Sequence, residues 1–278
     1  MQRILRVIKL IKKHGVRKGI KHLLITIKIK LREKVYEHNG TRLRYIIEDN
    51  QSDQLIIIFS ACPELGIKAR YNYLNLLDSH KANKLWILDE YGPYSRGCYY
   101  LGKMPEFEVS QATQHLIDST IARLSIKKSY YVGSSKGGWA ALYFALNNHN
   151  GPIVISGAQQ YLLGNFLTSN MENKPLLELF EFITGKAYQP ENRAQVDELN
   201  DLIRDKLNKN KQWNGKVFLH YSNKEHTFVD DIQHLISDLS KTQISFTEDI
   251  SDYSDHGGVS LFFPQFLIGV LNKHYKEE

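Results

Sequence analysis

The stretch that most constrains this chain is Tyr130–Leu142, reading YYVGSSKGGWAAL. An apolar run, Tyr130 to Val132, enters Gly133-Ser134-Ser135-Lys136-Gly137 and leaves as a helix of small residues from Trp139 onward. This is the G-x-S-x-G pattern of strand, sharp turn and helix, a nucleophile elbow that carries its serine on the turn. The turn forces Ser135 into a strained backbone conformation, and side chains at Gly133 or Gly137 would collide with the adjoining strand and helix. By composition alone a chain of this length meets the pattern roughly one time in ten. Its weight therefore depends on whether the remaining sequence builds the sheet that an elbow requires.

The chain has 278 residues, enough for one large α/β domain with a short appendage. Cys62 and Cys98 form neither a disulfide framework nor a metal-ligand spacing, so no metal is expected and a reducing, cytoplasmic setting is. No apolar run reaches the length of a membrane span, and basic residues interrupt the apolar positions of the N-terminus, unlike a signal peptide. The net charge of +6 is unevenly placed. Residues 1–34 hold twelve Lys/Arg against the single acid Glu33, leaving 24 basic and 29 acidic residues for the rest. The body is thus mildly acidic and gives no reason to expect a nucleic-acid partner.

Within the basic arm, Ile4, Val7, Ile8 and Ile11 share one helical face, and Val16, Ile20, Leu23, Leu24, Ile27 and Leu31 continue it. Such amphipathic helices adsorb to anionic membrane surfaces or dock on a partner. Helices packed on the body with a solvated basic face would show the same pattern. The expected location is the cytoplasm, peripheral to the inner face of the cell membrane.

Val35–His38 and Thr41–Ile47 flank Asn39-Gly40, the pair a type I′ hairpin turn prefers. Buried strands are expected at Gln54–Phe59 and Leu85–Leu88, and further strands at Tyr130–Val132, Ile153–Ile155, Val217–Tyr221 and Ile244–Phe246. Between them helical spacing appears at Tyr71, Leu74 and Leu77, at Ser110–Leu124, after the elbow and at Phe228–Leu239. A closing helix is expected within Val259–Tyr275, its start obscured by Pro264. A hairpin followed by strands alternating with helices predicts a doubly wound, mostly parallel sheet. Residues 159–214 break the alternation and read as a helical, cap-like insertion in a domain spanning 35–278.

A serine nucleophile needs a base to take its proton and an acid to hold that base. Chain order in such a sheet should run serine, acid, histidine. His256, in Asp255-His256-Gly257-Gly258, lies between the last strand and the final helix, whereas His234 falls in mid-helix and His274 near the C-terminus. Glu225 is the only acid in the turn after Val217–Tyr221, with Asp230 and Asp231 a few residues on as alternatives in the following helix. The expected oxyanion donors are the backbone N–H of Lys136 and one from the loop after Gln54–Phe59. Pro63 has none to offer, so Ala61 or Cys62 is expected to supply it. The loop Asp89–Lys103 follows a strand end and should open toward the site. Its Tyr94, Tyr99 and Tyr100 are candidates for stacking on sugar rings and Arg96 for meeting an anion, with Gln160 and Tyr161 as further candidates. Tyrosines of a structured surface loop would look the same.

FSACPE, LWILDEYGP, RGCYYLG, YYVGSSKGGWAALYFAL, ISGAQQYLLGNFL, YSNKEHTF and DHGGVSLFF, in that order, resemble bacterial capsular polysaccharide biosynthesis proteins with an α/β-hydrolase fold. The chain is more distantly similar to the acetyltransferase-like component of accessory secretion systems for glycosylated adhesins. The resemblance covers residues 35–278 and implies acyl transfer on a surface glycan, with Ser135 as nucleophile, Glu225 as acid and His256 as base. On that reading the chain is an O-acetyltransferase of capsular polysaccharide, holding no bound cofactor and using acetyl-CoA as acyl donor. A carbohydrate esterase would use the same three residues with water as acceptor, and a non-catalytic subunit of a capsule or secretion complex would keep the fold alone.

Overall fold

The computed structural model describes residues 27, 29–191 and 193–275. The expectation for the basic arm therefore lies outside the described residues up to 26 and at 28. Its last turn is described: Glu33 N–H donates to Ile29 O, Ile29 packs on the core, and Glu33 accepts hydrogen bonds from Tyr71 and Arg44.

The sheet opens on the hairpin of β1 (Lys34–His38) and β2 (Thr41–Glu48). Asn39 and Gly40 take φ of 48° and 79°, the two positive angles of a type I′ turn. Next come β3 (Gln54–Phe59), β4 (Asn83–Leu88), β5 (Lys128–Ser134), β6 (Ile153–Gly157), β7 (Lys216–Tyr221) and β8 (Ser245–Ile250). The spatial order is β1-β2-β4-β3-β5-β6-β7-β8, antiparallel through β2·β4 and parallel from β4 to β8. The chain steps outward from β3 to β4 and then returns past β3 to β5. Their carboxyl ends thus flank a topological switch point, where open α/β sheets place their sites.

Every residue of β3 and β4 is buried, as continuous apolar runs demand when helices cover both faces. Alternation divides them. Leu55, Ile57 and Phe59 enter one core with Trp139 and Phe144, and Ile56 and Ile58 enter the other with Phe263 and Leu267. The first face carries α1 (Glu108–Arg123) and α2 (Lys136–Ala145). Between β6 and β7 run α3 (Leu163–Thr168), α4 (Lys174–Thr184) and α5 (Ala194–Lys209), followed after β7 by α6 (Gln233–Leu239). The closing helix α7 (Val259–His274) covers the second face, and Pro264 sits inside it without ending it. Among the described residues no helix is long and apolar enough to cross a membrane.

The structure corrects three local expectations. No helix forms at Tyr71–Leu77: Tyr73 takes φ 59°, so the left-handed residue stops propagation, and the apolar spacing reflects turns packed on the second core. The segment Phe228–Ile232 is a wide π turn, and the α-helix begins only at Gln233. Strand β8 runs past the expected end at Phe246 to Ile250, and its mostly exposed residues mark it as the sheet edge.

Buried Asp231, in that wide turn, accepts the N–H groups of Tyr161 and Leu162 at 2.6 and 2.8 Å, tying the start of the β6–β7 connection to the segment after β7. Burial raises its carboxyl pKa from 3.8 to about 6, the two N–H bonds offsetting this only in part. A carboxyl raised on folding contributes most below its unfolded pKa, and that contribution is lost as pH rises through about 6. Asp231→Asn keeps the acceptor oxygen and removes the titration. The variant should therefore gain on the parent chain by about 2–3 kcal/mol between pH 4 and pH 7, read from urea unfolding at each pH.

Candidate active site

The elbow turns at Ser135, which has φ 52° and ψ −126° and whose N–H donates to Gly157 O at 2.7 Å. Glycine is obligatory beside it. A Cβ on Gly133 would lie 2.2 Å from Gly137 C, and one on Gly137 would lie 2.6 Å from Phe59 O. Helix α2 is thereby seated directly on β5 and on the end of β3.

The structure brings the three expected residues together from three strand ends. His256 Nε2 lies 2.9 Å from Ser135 Oγ, and His256 Nδ1 lies 2.9 Å from Glu225 Oε1. An ionised carboxylate only accepts, so Nδ1–H donates to Glu225 and Nε2 is left to receive the Ser135 proton. Glu225 is buried and its second oxygen accepts the Thr227 hydroxyl. Burial works to raise its pKa, but the hydrogen bonds of His256 and Thr227 and the nearby charges of His256 and His226 outweigh it and hold the carboxyl below its ordinary range. The base loop is itself pinned. Asp255 caps it by accepting Gly257 N–H at 2.9 Å, and Tyr253 N–H donates to Ser222 Oγ, in the turn that carries Glu225. The alternatives stand elsewhere: Asp231 serves the connection described above, His234 lies in α6 and His274 at the end of α7.

The N–H of Lys136 is the first of α2, a helix-start donor with no partner inside the helix. Of the two residues expected to join it, Ala61 is corrected: its N–H donates to Asn72 Oδ1 at 2.9 Å. Cys62 N–H is left without a partner among the described residues. Sequence spacing missed Asn72, because that residue reaches the loop through the turns that replaced the expected helix.

These groups open into a cavity of about 620 Å³. Of the candidate contact residues, Tyr94, Arg96, Tyr99 and Gln160 line it. Tyr94 is exposed, Tyr99 OH donates to Gln160 Oε1, and Arg96 donates to Pro63 O through Nε and Nη2, bracing the loop that holds Cys62. Tyr100 and Tyr161 are corrected. Tyr100 is fully buried, its hydroxyl taking Ser60 N–H and donating to Ile87 O, and buried Tyr161 donates to Asp238. Neither ring faces the cavity. Phe166, Asn173, Pro175, Leu176 and Leu179, from the β6–β7 connection, form one wall, and Arg70, Tyr73 and His226 add polar groups that sequence reasoning did not single out. A second hollow of about 640 Å³, lined by His149 and residues 208–214, has no serine, threonine or cysteine in its lining.

Behind the elbow, Lys136 Nζ meets Asp89 Oδ2 at 2.8 Å with both side chains buried. The same Asp89 oxygen accepts Cys98 N–H and Tyr100 N–H, so one carboxylate joins the nucleophile helix to the loop that lines the cavity. Gly97 makes room for it, since a Cβ there would lie 2.1 Å from Lys136 Nζ.

No family model matches the chain, and no curated protein matches it in sequence. Solved structures do match it in shape. The capsule O-acetyltransferase of Neisseria meningitidis serogroup A superimposes with a TM-score of 0.70 at 21% identity, over 86% of this chain and 94% of that one. A complex of glycosylation-associated proteins from Streptococcus agalactiae matches at 0.69 and 17% identity, over 88% of this chain and 47% of that one. The Staphylococcus aureus fluorophosphonate-binding serine hydrolase F matches at 0.61 and 13% identity, over 88% and 98%. The fold is that of the α/β hydrolases. At these identities the likeness concerns architecture alone.

Removing Lys136 would strand the buried Asp89 carboxylate. Lys136→Met should cost about 3–5 kcal/mol in urea unfolding, and adding Asp89→Asn, which keeps the acceptor oxygen for Cys98 and Tyr100, should recover part of that loss.

Proposed function

We propose that this chain is a serine-dependent O-acyltransferase that acetylates hydroxyls of a bacterial surface glycan. The observation that carries the reading is the unbroken hydrogen-bonded path from Glu225 through His256 to a strained Ser135, with spacings of 2.9 and 2.9 Å. In the first half-reaction Ser135 Oγ attacks the thioester carbonyl of acetyl-CoA while His256 takes its proton. The oxyanion is held by the N–H groups of Lys136 and Cys62, and the thiol leaves with the proton from His256. In the second, a sugar hydroxyl gives its proton to His256 and attacks the acetyl ester, returning Ser135 with its hydroxyl.

Two observations support transfer rather than hydrolysis. The neighbour from N. meningitidis acts as a capsule O-acetyltransferase, and a structure of its histidine-to-alanine variant holds CoA. The cavity also carries Arg70 and Arg96, cationic groups suited to a phosphate-bearing donor. Capsule-assembly proteins or an anionic membrane face are proposed as partners of residues 1–34, on the charge of that segment.

The deciding assay follows acetyl-CoA consumption with and without a polysaccharide acceptor. Acceptor-dependent release of CoA is expected, with Ser135→Ala lowering it by about 10⁴-fold or more and His256→Ala by a similar factor. Rapid acceptor-independent ester cleavage would point to an esterase, and a Ser135→Ala chain as active as the parent would end both readings. Deletion of residues 1–26 should release the protein from anionic vesicles in a co-sedimentation measurement; unchanged binding would exclude that role for the segment.

A further inference from the structure

A second histidine stands on the acid. His226 Nδ1 lies 3.1 Å from Glu225 Oε1, the same oxygen that holds His256. His256 is the more enclosed of the two; the His226 side chain is 59% exposed and lines the cavity. The contact is a close approach and not a hydrogen bond: of the two rings, only His256 bonds that oxygen. His226 Nε2 has no partner among the described residues. The site therefore holds two imidazoles against one buried carboxylate, with ring centroids 5.9 Å apart. One meets Ser135, and the other has its Nε2 unspent.

We propose that His226 is the acceptor-side specificity residue, its Nε2 hydrogen-bonding the hydroxyl next to the one that is acetylated. The inference rests on the acyl-transfer reading and names its acceptor class, a sugar with two neighbouring hydroxyls. The chemistry follows from the placement. The attacking hydroxyl must lie between His256 Nε2 and the acetyl carbon on Ser135, giving its proton to His256 as its oxygen bonds that carbon and the Ser135 ester bond breaks. A pyranose held there carries its adjacent hydroxyl at a spacing that the neighbouring imidazole can reach. Water and simple alcohols have no second hydroxyl and gain nothing from His226. The device thus favours a glycan over solvent without touching the atoms that react, and the proton stays on the His256 path throughout.

The test uses competition for one acyl-enzyme. The full chain is acetylated with p-nitrophenyl acetate in the presence of a panel of methyl hexopyranosides and 1-propanol, and the acetylated products are quantified. Both acceptors draw on the same intermediate, so any effect of a substitution on Glu225, His256 or acylation cancels in the product ratio. The glycoside-to-propanol ratio is expected to fall about fivefold or more in His226→Ala, the loss of one hydrogen bond. His226→Asn, which replaces Nδ1 but not Nε2, should fall equally. His226→Gln, whose amide reaches the Nε2 position, should stay near the parent value. A ratio unchanged in all three variants overturns the proposal. So does a loss of overall rate that His226→Asn restores with the ratio constant, which would make His226 a support for Glu225 only. A parent chain that shows no Ser135-dependent release of p-nitrophenol would overturn the acyl-transfer reading as well, and is told apart by the missing burst.

Discussion

The site depends on holding one residue where it does not wish to be. Ser135 occupies a positive φ that costs a non-glycine residue about 1–3 kcal/mol, and the surroundings are arranged so that it cannot relax. Gly133 lies against Gly137, Gly137 lies against Phe59 O, and the Ser135 N–H is held by Gly157 O across the sheet. Three adjacent parallel strands, β3, β5 and β6, therefore share the work of keeping the hydroxyl raised above the sheet end. A loosened sheet edge at β1 or β8 would leave this arrangement intact, whereas a change in the β3–β5 spacing would not.

Around that backbone, two buried carboxylates do opposite kinds of ordering. Asp89 meets the Lys136 side chain and two backbone N–H groups, and so ties helix to loop. Glu225 faces two histidines and a hydroxyl, with His256 linking it to Ser135. The first joins elements of the framework, and the second joins side chains that line or adjoin the cavity. Both sit at carboxyl ends of strands, Asp89 after β4 and Glu225 after β7, where loops can converge on the switch point.

Much of this was legible in the residues. Continuous apolar runs such as QLIIIF marked the central strands, Asn39-Gly40 marked the hairpin, and the elbow glycines marked the turn. Chain order then located Glu225 and His256 in the two loops from which the structure brings them to Ser135. What stayed hidden involves contacts between distant segments. The helical spacing of Tyr71, Leu74 and Leu77 comes from turns that press one side onto the core, and nothing local reveals the positive φ of Tyr73. Tyr99 and Tyr100 are neighbours in one loop, yet one lines the cavity and the other is sealed beneath it by Ser60 and Ile87. The pairing of Lys136 with Asp89 joins residues 47 positions apart, and Asn72 takes the Ala61 N–H only once the loops are folded. Hydrophobic period reports which side of an element is buried; it does not say which buried polar groups find one another.

The connection between β6 and β7 contributes a wall of the cavity but none of the three residues of the hydrogen-bonded path. It enters and leaves the sheet at adjacent parallel strands, held at its start by Asp231. The hydrogen-bonded path and this wall are therefore encoded in separable stretches of the chain. The segment that forms the wall can lengthen, shorten or change composition while Ser135, Glu225 and His256 keep their spacing. A cavity of a different shape can in this way be grown over the same three side chains.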